Sequence, residues 1–392
     1  MSASETSGAL QPSVKWLHGL TGFRFPIALG IFFIHSSHAV NPIDYEKPVS
    51  FFADRGFAEG MSNFLIPIGL PFLSLFFMLS GFVLTWSARP TDTARSFWRR
   101  RFFRVFPNHV VTFVVALFLI AGATTNWLPN LLLVNTWNPH EPEGGTNYIV
   151  WSLCAELLFY ASFPLVLNLV RRIRATHLWA WAAGMAGGIV AINLVTVLFV
   201  GGFVYPGNLL QLSNEQMWLA SLFPPARIFE FVLGVLLARI VMAGKFPRLN
   251  FLTVILTWLA SCVAAQYVPA PWTYAAVALI PNVMMLGAVA TADIRGSKNI
   301  LTSKFMVWGG NISYAFFMVQ TILVYWLRTE FSTTYDPLTA VALWLGLLGV
   351  CLLTAHLMFT YVEDPIMRRF GRPRRKATPA PLEPAPALSH PA

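Results

Sequence analysis

Ten apolar runs, each long enough to cross a lipid bilayer, leave this chain little choice of fold. They fall at about 17–40, 64–87, 108–125, 148–170, 177–200, 216–241, 250–267, 272–292, 305–327 and 337–362. A helix needs about 20 predominantly apolar residues to span the hydrocarbon core, and in lipid each span must satisfy its own backbone polar groups. The expected fold is therefore all-α, a polytopic transmembrane helical bundle of about ten spans. Composition agrees: 56% of the residues are hydrophobic and 11% are charged, where soluble domains carry about 25% charged residues. Residues 16–370 read as one membrane domain between a polar N-terminal segment (1–15) and a Pro/Ala-rich tail (371–392). That tail composition cannot bury a core, so the tail is expected to be disordered.

A net charge of +10 would suggest a nucleic-acid partner in a soluble protein. Here the placement of the charges argues against one. Loops 88–107, 171–177, 239–249 and 293–304, with the two ends, hold 22 of the 27 Lys and Arg. The opposite loops hold only Lys47, Arg55 and Arg328, while Arg24 and Arg227 lie within spans. The positive-inside rule then puts both termini in the cytoplasm and the protein in the inner (cytoplasmic) membrane as a multi-pass chain. Residues 1–15 lack the basic start, short apolar core and cleavage site of a signal peptide, so none is expected and the first span anchors itself. Cys154, Cys262 and Cys351 sit inside apolar runs at spacings that suit neither a metal knuckle nor a disulfide framework. They read as small buried hydrophobes, and no metal is expected.

Five stretches carry chemistry into this apolar background. In LTGFRFPIALGIFFIHSSH (20–38), Arg24 and His35 are eleven residues apart. That is about 16 Å along a helix and nearly a whole number of turns, so both face one way. His38 flanks that face one turn further on. An arginine at the bilayer centre costs about 2.5–3.5 kcal/mol on insertion scales, which makes an intramembrane charge a functional candidate, with snorkelling to the interface as the plain alternative. FWRRRFFRVFP (97–107) puts Arg101 and Arg104 one turn apart among aromatic rings. Guanidinium forks of this kind suit the phosphates of a nucleotide-bearing donor such as coenzyme A, and equally suit fixing topology against lipid phosphates. In WSLCAELLFYASFP (151–164), Glu156 lies about 12 Å inside the outer end of its span and must be protonated, paired or facing a wet cavity; it could pair with Arg24 or orient a histidine. Arg227 and Glu230 in PARIFEFVLG (225–234) are spaced to neutralise each other on one helix. GGNISYAFFMVQ (309–320) adds Asn311, Ser313, Tyr314 and Gln320 to an apolar run. The outward loop NTWNPHEPEGGTNY (135–148) is rich in hydrogen-bonding side chains, which suit a polar acceptor or simple capping of helix ends. Spacing alone leaves two classes open: an enzyme with a cavity in the bundle, or a secondary transporter or flippase using Arg24, Glu156 and Glu230. The inverted repeats and broken helices expected of transporters are not visible in the sequence.

Taken together these stretches resemble the acyltransferase-3 family of integral membrane acyltransferases, over about Trp16 to Phe370. LTGFRFPIALGIFFIH matches the family's opening Arg-to-His signature at Arg24 and His35. LSLFFMLSGFVLTW (73–86) looks like its FF-x-LSGF segment, and Arg101 and Arg104 match its Arg-x-x-Arg. WSLCAELLFY matches WSL-x-x-E-x-x-FY and places Glu156, ISYAFFMVQ resembles SY-x-x-Y-L-x-H, and VEDP (362–365) resembles the closing element. Two departures stand out: Thr21 where the lead-in commonly has Asp, and Gln320 where the late His stands. The fused extracellular hydrolase-like domain of some members is also absent from this sequence, which resembles the stand-alone type. The resemblance implies O-acylation, most often O-acetylation, of a hydroxyl on a saccharide or lipid-linked glycan, with acyl-CoA (acetyl-CoA) as cytoplasmic donor. Some relatives acylate small antibiotics instead. It implies His35 as general base or, less readily, acyl carrier, with Arg24 holding the donor or polarising its thioester. Glu156 would support the site, and Arg101 and Arg104 would bind the coenzyme A phosphates.

Overall fold

The computed structural model describes residues 16–38, 48–89, 92–120, 127–139, 146–204 and 212–371. All ten apolar runs are mainly helical within these limits, with turns at 265–267 and 274–278. We number the helices α1 (His18–Ser37), α2 (Arg55–Ser87), α3 (Ala94–Leu119), α4 (Trp151–Arg171), α5 (Leu178–Phe199), α6 (Pro224–Met242), α7 (Phe251–Ala264), α8 (Leu279–Ile294), α9 (Lys304–Glu330), α10 (Pro337–Met358) and α11 (Asp364–Phe370). No strand occurs among the described residues, only an isolated bridge between Phe52 and Tyr335. The N-terminal segment 1–15 lies outside the described residues, as does the expected tail beyond Gly371. So do parts of the two long outward loops.

Seven helices are long and apolar enough to cross a membrane unaided: α1, α2, α3, α4, α5, α9, and α10 continued to Phe370. The other three differ for physical reasons. Helix α6 carries Arg227, Glu230 and Arg239. Helices α7 and α8 have 14 and 16 residues, about 21 and 24 Å, short of the 30 Å hydrocarbon core.

Helix α1 is the axis of the bundle, packed against α2, α8 and α9. Its first turn has no cap from its own N-cap residue, Leu17. Asp293 of α8 supplies one from outside: its carboxylate accepts Gly19 N–H and Leu20 N–H, both at 2.8 Å. An anion at a helix N-terminus is also favoured by the helix dipole. Helices α1 and α9 run in the same direction at close range. A Cβ at Gly22 would collide with the Leu301 carbonyl, one at Gly310 with the Thr21 carbonyl, and one at Gly309 with the Phe25 ring. Helices α2 and α6 meet in the same way, Gly81 against the Phe231 carbonyl and Gly234 against that of Met78. Small residues at such crossings are how helices gain packing energy in lipid, where apolar contact alone gives no preference for protein. The outer face of the bundle is apolar, with Phe118, Phe199 and Leu353 exposed, as a lipid-facing surface requires.

On the side expected to be outside, Arg328 is structural. Its guanidinium donates to the carbonyls of Val49 (3.0 Å), Ser50 (3.0 Å) and Thr333 (3.1 Å) and lies 4.3 Å over the Phe51 ring. It therefore ties the segment before α2 to the α9–α10 connection.

Candidate active site

A cavity of about 460 Å³ lies among α1, α2, α3, α4, α9 and the start of α11. Trp16, Trp86, Ser87, Asp364 and Met367 line its end near the basic loops. Deeper in, it gathers Arg24 from α1, Arg101 and Arg104 from α3, Glu156 and Tyr160 from α4, and Asn311, Ser313 and Tyr314 from α9. Four of the five site residues expected from the sequence thus share one chamber, and 132 residues separate the first from the last.

The three arginines are held differently. Arg104 is paired with Glu363, whose carboxylate also accepts Asn108 Nδ2–H at 2.6 Å. Its guanidinium lies 5.7 Å over the Tyr314 ring, and the Tyr314 hydroxyl donates to the Val105 carbonyl at 3.1 Å. Arg101 lies over the rings of Phe97 (5.5 Å) and Tyr160 (5.8 Å), and its buried Nε has no hydrogen-bond partner among the described residues. Arg24 has neither an ion pair nor a hydrogen bond from its side chain among the described residues, although Arg104, Arg101, Glu156 and Tyr160 all act on it electrostatically. Glu156 is buried and accepts the Tyr160 hydroxyl at 3.0 Å. Its neighbours are therefore a tyrosine and the arginines, and it does not orient a histidine. The chamber holds two guanidiniums with no carboxylate bonded to them among the described residues, an arrangement that suits an anion entering from the end near the basic loops.

His35 stands apart. It does not line this cavity and lies three turns of α1 beyond Arg24, about 16 Å along the axis. Its ring stacks with that of His38 at 6.4 Å and meets the edge of Tyr148 at 6.3 Å, and its buried Nδ1 has no hydrogen-bond partner among the described residues. His38 Nδ1 sits 3.2 Å from the His35 carbonyl. The fully buried Gln320 of α9 has no partner for either amide atom among the described residues.

Arg227 and Glu230 form the expected intrahelical pair at 2.9 Å, both buried, and neither lines the arginine cavity. Removing one partner of a buried pair typically costs 3–5 kcal/mol, because the other charge is left uncompensated. Glu230→Gln is expected to lower the yield of folded protein sharply, and the double change Arg227→Leu, Glu230→Leu to restore part of it. Detergent size-exclusion profiles measure both; equal yields for the single and double variants would show that the residues do not act as an isolated pair. In the loop at 135–148, the described side chains are tied to the bundle. The Cys154 thiol donates to Asn135 Oδ1 at 3.1 Å, Asn147 Nδ2–H donates to the Met318 carbonyl at 3.1 Å, and the Thr321 hydroxyl donates to Asn147 Oδ1 at 2.9 Å. These bonds fit capping of the helix ends; residues 140–145 lie outside the described set.

Sequence reading missed Glu363, Tyr160 and Asn108. A signal existed for two of them: Tyr160 follows Glu156 by one helical turn, and Glu363 is a carboxylate at the end of an apolar run with no basic residue within one turn before it. Nothing local marks Asn108.

Comparison with known proteins shows the family of the chain. The family description "Acyltransferase domain" matches residues 17–360. The chain is 35% identical over 388 residues to the acyltransferase MdmB of Streptomyces mycarofaciens, covering 94% of this chain and 96% of that protein. It is 22% identical over 367 residues to nodulation protein 10 of Rhizobium leguminosarum bv. viciae, covering 85% and 89%. No solved structure matches.

Proposed function

This chain belongs to the acyltransferase-3 family and is an enzyme that transfers acyl groups; from that premise we propose that it carries an acetyl group from cytoplasmic acetyl-CoA to a hydroxyl of a saccharide or lipid-linked glycan. The observation that carries the donor half is the arginine chamber, open toward the basic loops, with Arg24 and Arg101 free of any bonded carboxylate. Phosphate is the anion that guanidinium forks bind best, by paired charge-assisted hydrogen bonds. Helix α1 then supplies the rest of the geometry. From the chamber to His35 is about 16 Å along one helix, a gap that the extended pantetheine arm of coenzyme A suits. Arg24, on this reading, holds the donor; it is too far from His35 to polarise the carbonyl that reacts there.

At His35 the acceptor oxygen attacks the thioester carbonyl carbon. The new C–O bond forms as the C–S bond breaks, and the hydroxyl proton passes to the imidazole and then to the departing thiolate. The acetyl group ends on the acceptor oxygen and free coenzyme A leaves with the proton. A neutral imidazole is the usual base for an alcohol near neutral pH. The charge bias of the loops puts the donor on the cytoplasmic side of the inner membrane. The transporter reading weakens because Glu230 is taken by Arg227 and neither belongs to the chamber.

Sealed inside-out membrane vesicles test function and sidedness together. Acetyl-CoA added outside such vesicles, with a glycan acceptor, is expected to release free coenzyme A, whereas right-side-out vesicles should release none. Release from right-side-out vesicles alone would reverse the orientation, and release from neither would remove acetyl-CoA as donor. In detergent, Arg101→Lys keeps the charge but loses the bidentate fork. Losing one charge-assisted contact, about 1.5–3 kcal/mol, should raise the dissociation constant for acetyl-CoA roughly 10- to 100-fold, read by equilibrium binding. Unchanged affinity would move the phosphates elsewhere.

A further inference from the structure

Glu363 is the least exposed ionisable group bonded to a residue of the arginine chamber, and no mechanism above uses it. It closes a π-helical turn, Phe359–Glu363, between α10 and α11. Such insertions occur mostly as single turns and often at functional sites. Directly after this turn, α11 packs along α3. Glu363 is thereby delivered to Arg104, 259 residues away in sequence. Its side chain is 1% exposed, against 25% for Arg104, so the carboxylate lies behind the guanidinium. One carboxylate oxygen takes Arg104 Nη1 and the other takes Asn108 Nδ2–H, one helical turn further along α3. Two bonds from one helix fix the carboxylate, and the Tyr314 ring limits the guanidinium on another side. Arg104 still lines the cavity.

We propose that Glu363 is a positioning residue of the donor site: it clamps one edge of Arg104 and turns the remaining N–H donors toward the anion that Arg101 and Arg24 also face. The Arg-x-x-Arg pair is thus asymmetric. Among the described residues Arg101 is braced only by aromatic rings, whereas Arg104 is held by a carboxylate. This rests on the reading of the chamber as the site for the donor's phosphates.

The sign of the coupling between the two residues tests it. With Arg104 present, Glu363→Gln keeps the shape but removes the clamp's charge, so affinity for acetyl-CoA falls. With Arg104 removed, Glu363 becomes a bare buried carboxylate facing a phosphate, so deleting its charge helps. The experiment is equilibrium binding of radiolabelled acetyl-CoA to the full-length protein in detergent, normalised to monodisperse protein. The variants are Glu363→Gln, Arg104→Ala, the double variant, and Asn108→Ala, which loosens the clamp without stranding a charge and serves if Glu363→Gln does not fold. Glu363→Gln is expected to raise the dissociation constant about tenfold, or 1.4 kcal/mol, and Asn108→Ala to raise it less. The double variant should bind more tightly than Arg104→Ala. A purely structural Glu363 lowers the yield but leaves the affinity of the surviving molecules at the parent value; that result, or a double variant equal to the product of the two singles, overturns the proposal. If the parent protein itself fails to bind acetyl-CoA, the donor reading fails first and the clamp falls with it.

Discussion

His35→Ala is expected to lower acyl transfer by about 10²–10⁴-fold, the usual contribution of a positioned general base, and to leave acetyl-CoA affinity unchanged. The separation of the two effects follows from geometry, because His35 lies three turns of α1 from the arginine chamber and does not line it. Substituting it therefore removes no phosphate contact. Nor should it cost much folded protein: its Nδ1 has no hydrogen-bond partner to strand, and its ring contacts are with His38 and Tyr148. His38→Ala is the control. His38 faces the His35 backbone carbonyl through Nδ1, so its loss should be tolerated. The measurements are the rate of coenzyme A release per folded molecule and the binding constant for acetyl-CoA, taken on the same preparations. Equal rates for parent and His35→Ala would sink the base assignment. Loss of protein with rate per molecule unchanged would mark His35 as structural.

What could be read from the chain divides along the range of the interactions. The membrane class and the helical runs were legible because each helix satisfies its own backbone and announces itself in about 20 consecutive residues. The Arg24–His35 register is likewise local, fixed by 3.6 residues per turn. So is the Arg227–Glu230 pair, and the structure holds it as spacing required. The partner of Glu156 was not legible: Glu156 lies on the cavity wall, and the bond it makes is to Tyr160 on its own helix. Glu363 was quoted only as part of the closing VEDP element. Its role depends on a contact spanning 259 residues and on the π-helical turn that aims it, and no periodicity encodes either. The three helices that fall short as unaided spans show the same limit. Hydropathy counts apolar residues, whereas α7 ends early in a turn and α8 begins late after one, and an apolar run forbids neither.

Gln320→Leu should make the protein more stable and much slower. Gln320 lies on the face of α9 that meets α1: eleven residues before it, Gly309 packs against Phe25, and between them Phe316 lies 5.9 Å from Phe32. The two helices run in the same direction, so the same eleven-residue advance along α1 from Phe25 ends at Ser36, beside His35. Gln320 is thus at the level of the proposed base, yet both amide atoms are buried without a partner among the described residues. An unsatisfied buried polar group costs about 1–3 kcal/mol, and an apolar residue of similar size removes that cost. On the proposed mechanism, with His35 as base, the amide N–H at this level would donate to the oxyanion that forms as the thioester carbonyl is attacked. Loss of one such donor typically lowers the rate by about 10²–10³-fold. Gln320→Leu should therefore melt at a higher temperature, bind acetyl-CoA as the parent does, and turn over roughly 10²–10³-fold more slowly. Gln320→His, which restores an N–H donor at the position where the resembling family carries histidine, should recover part of the rate. A purely structural amide predicts the reverse for leucine, with lower melting temperature and a rate per folded molecule equal to that of the parent.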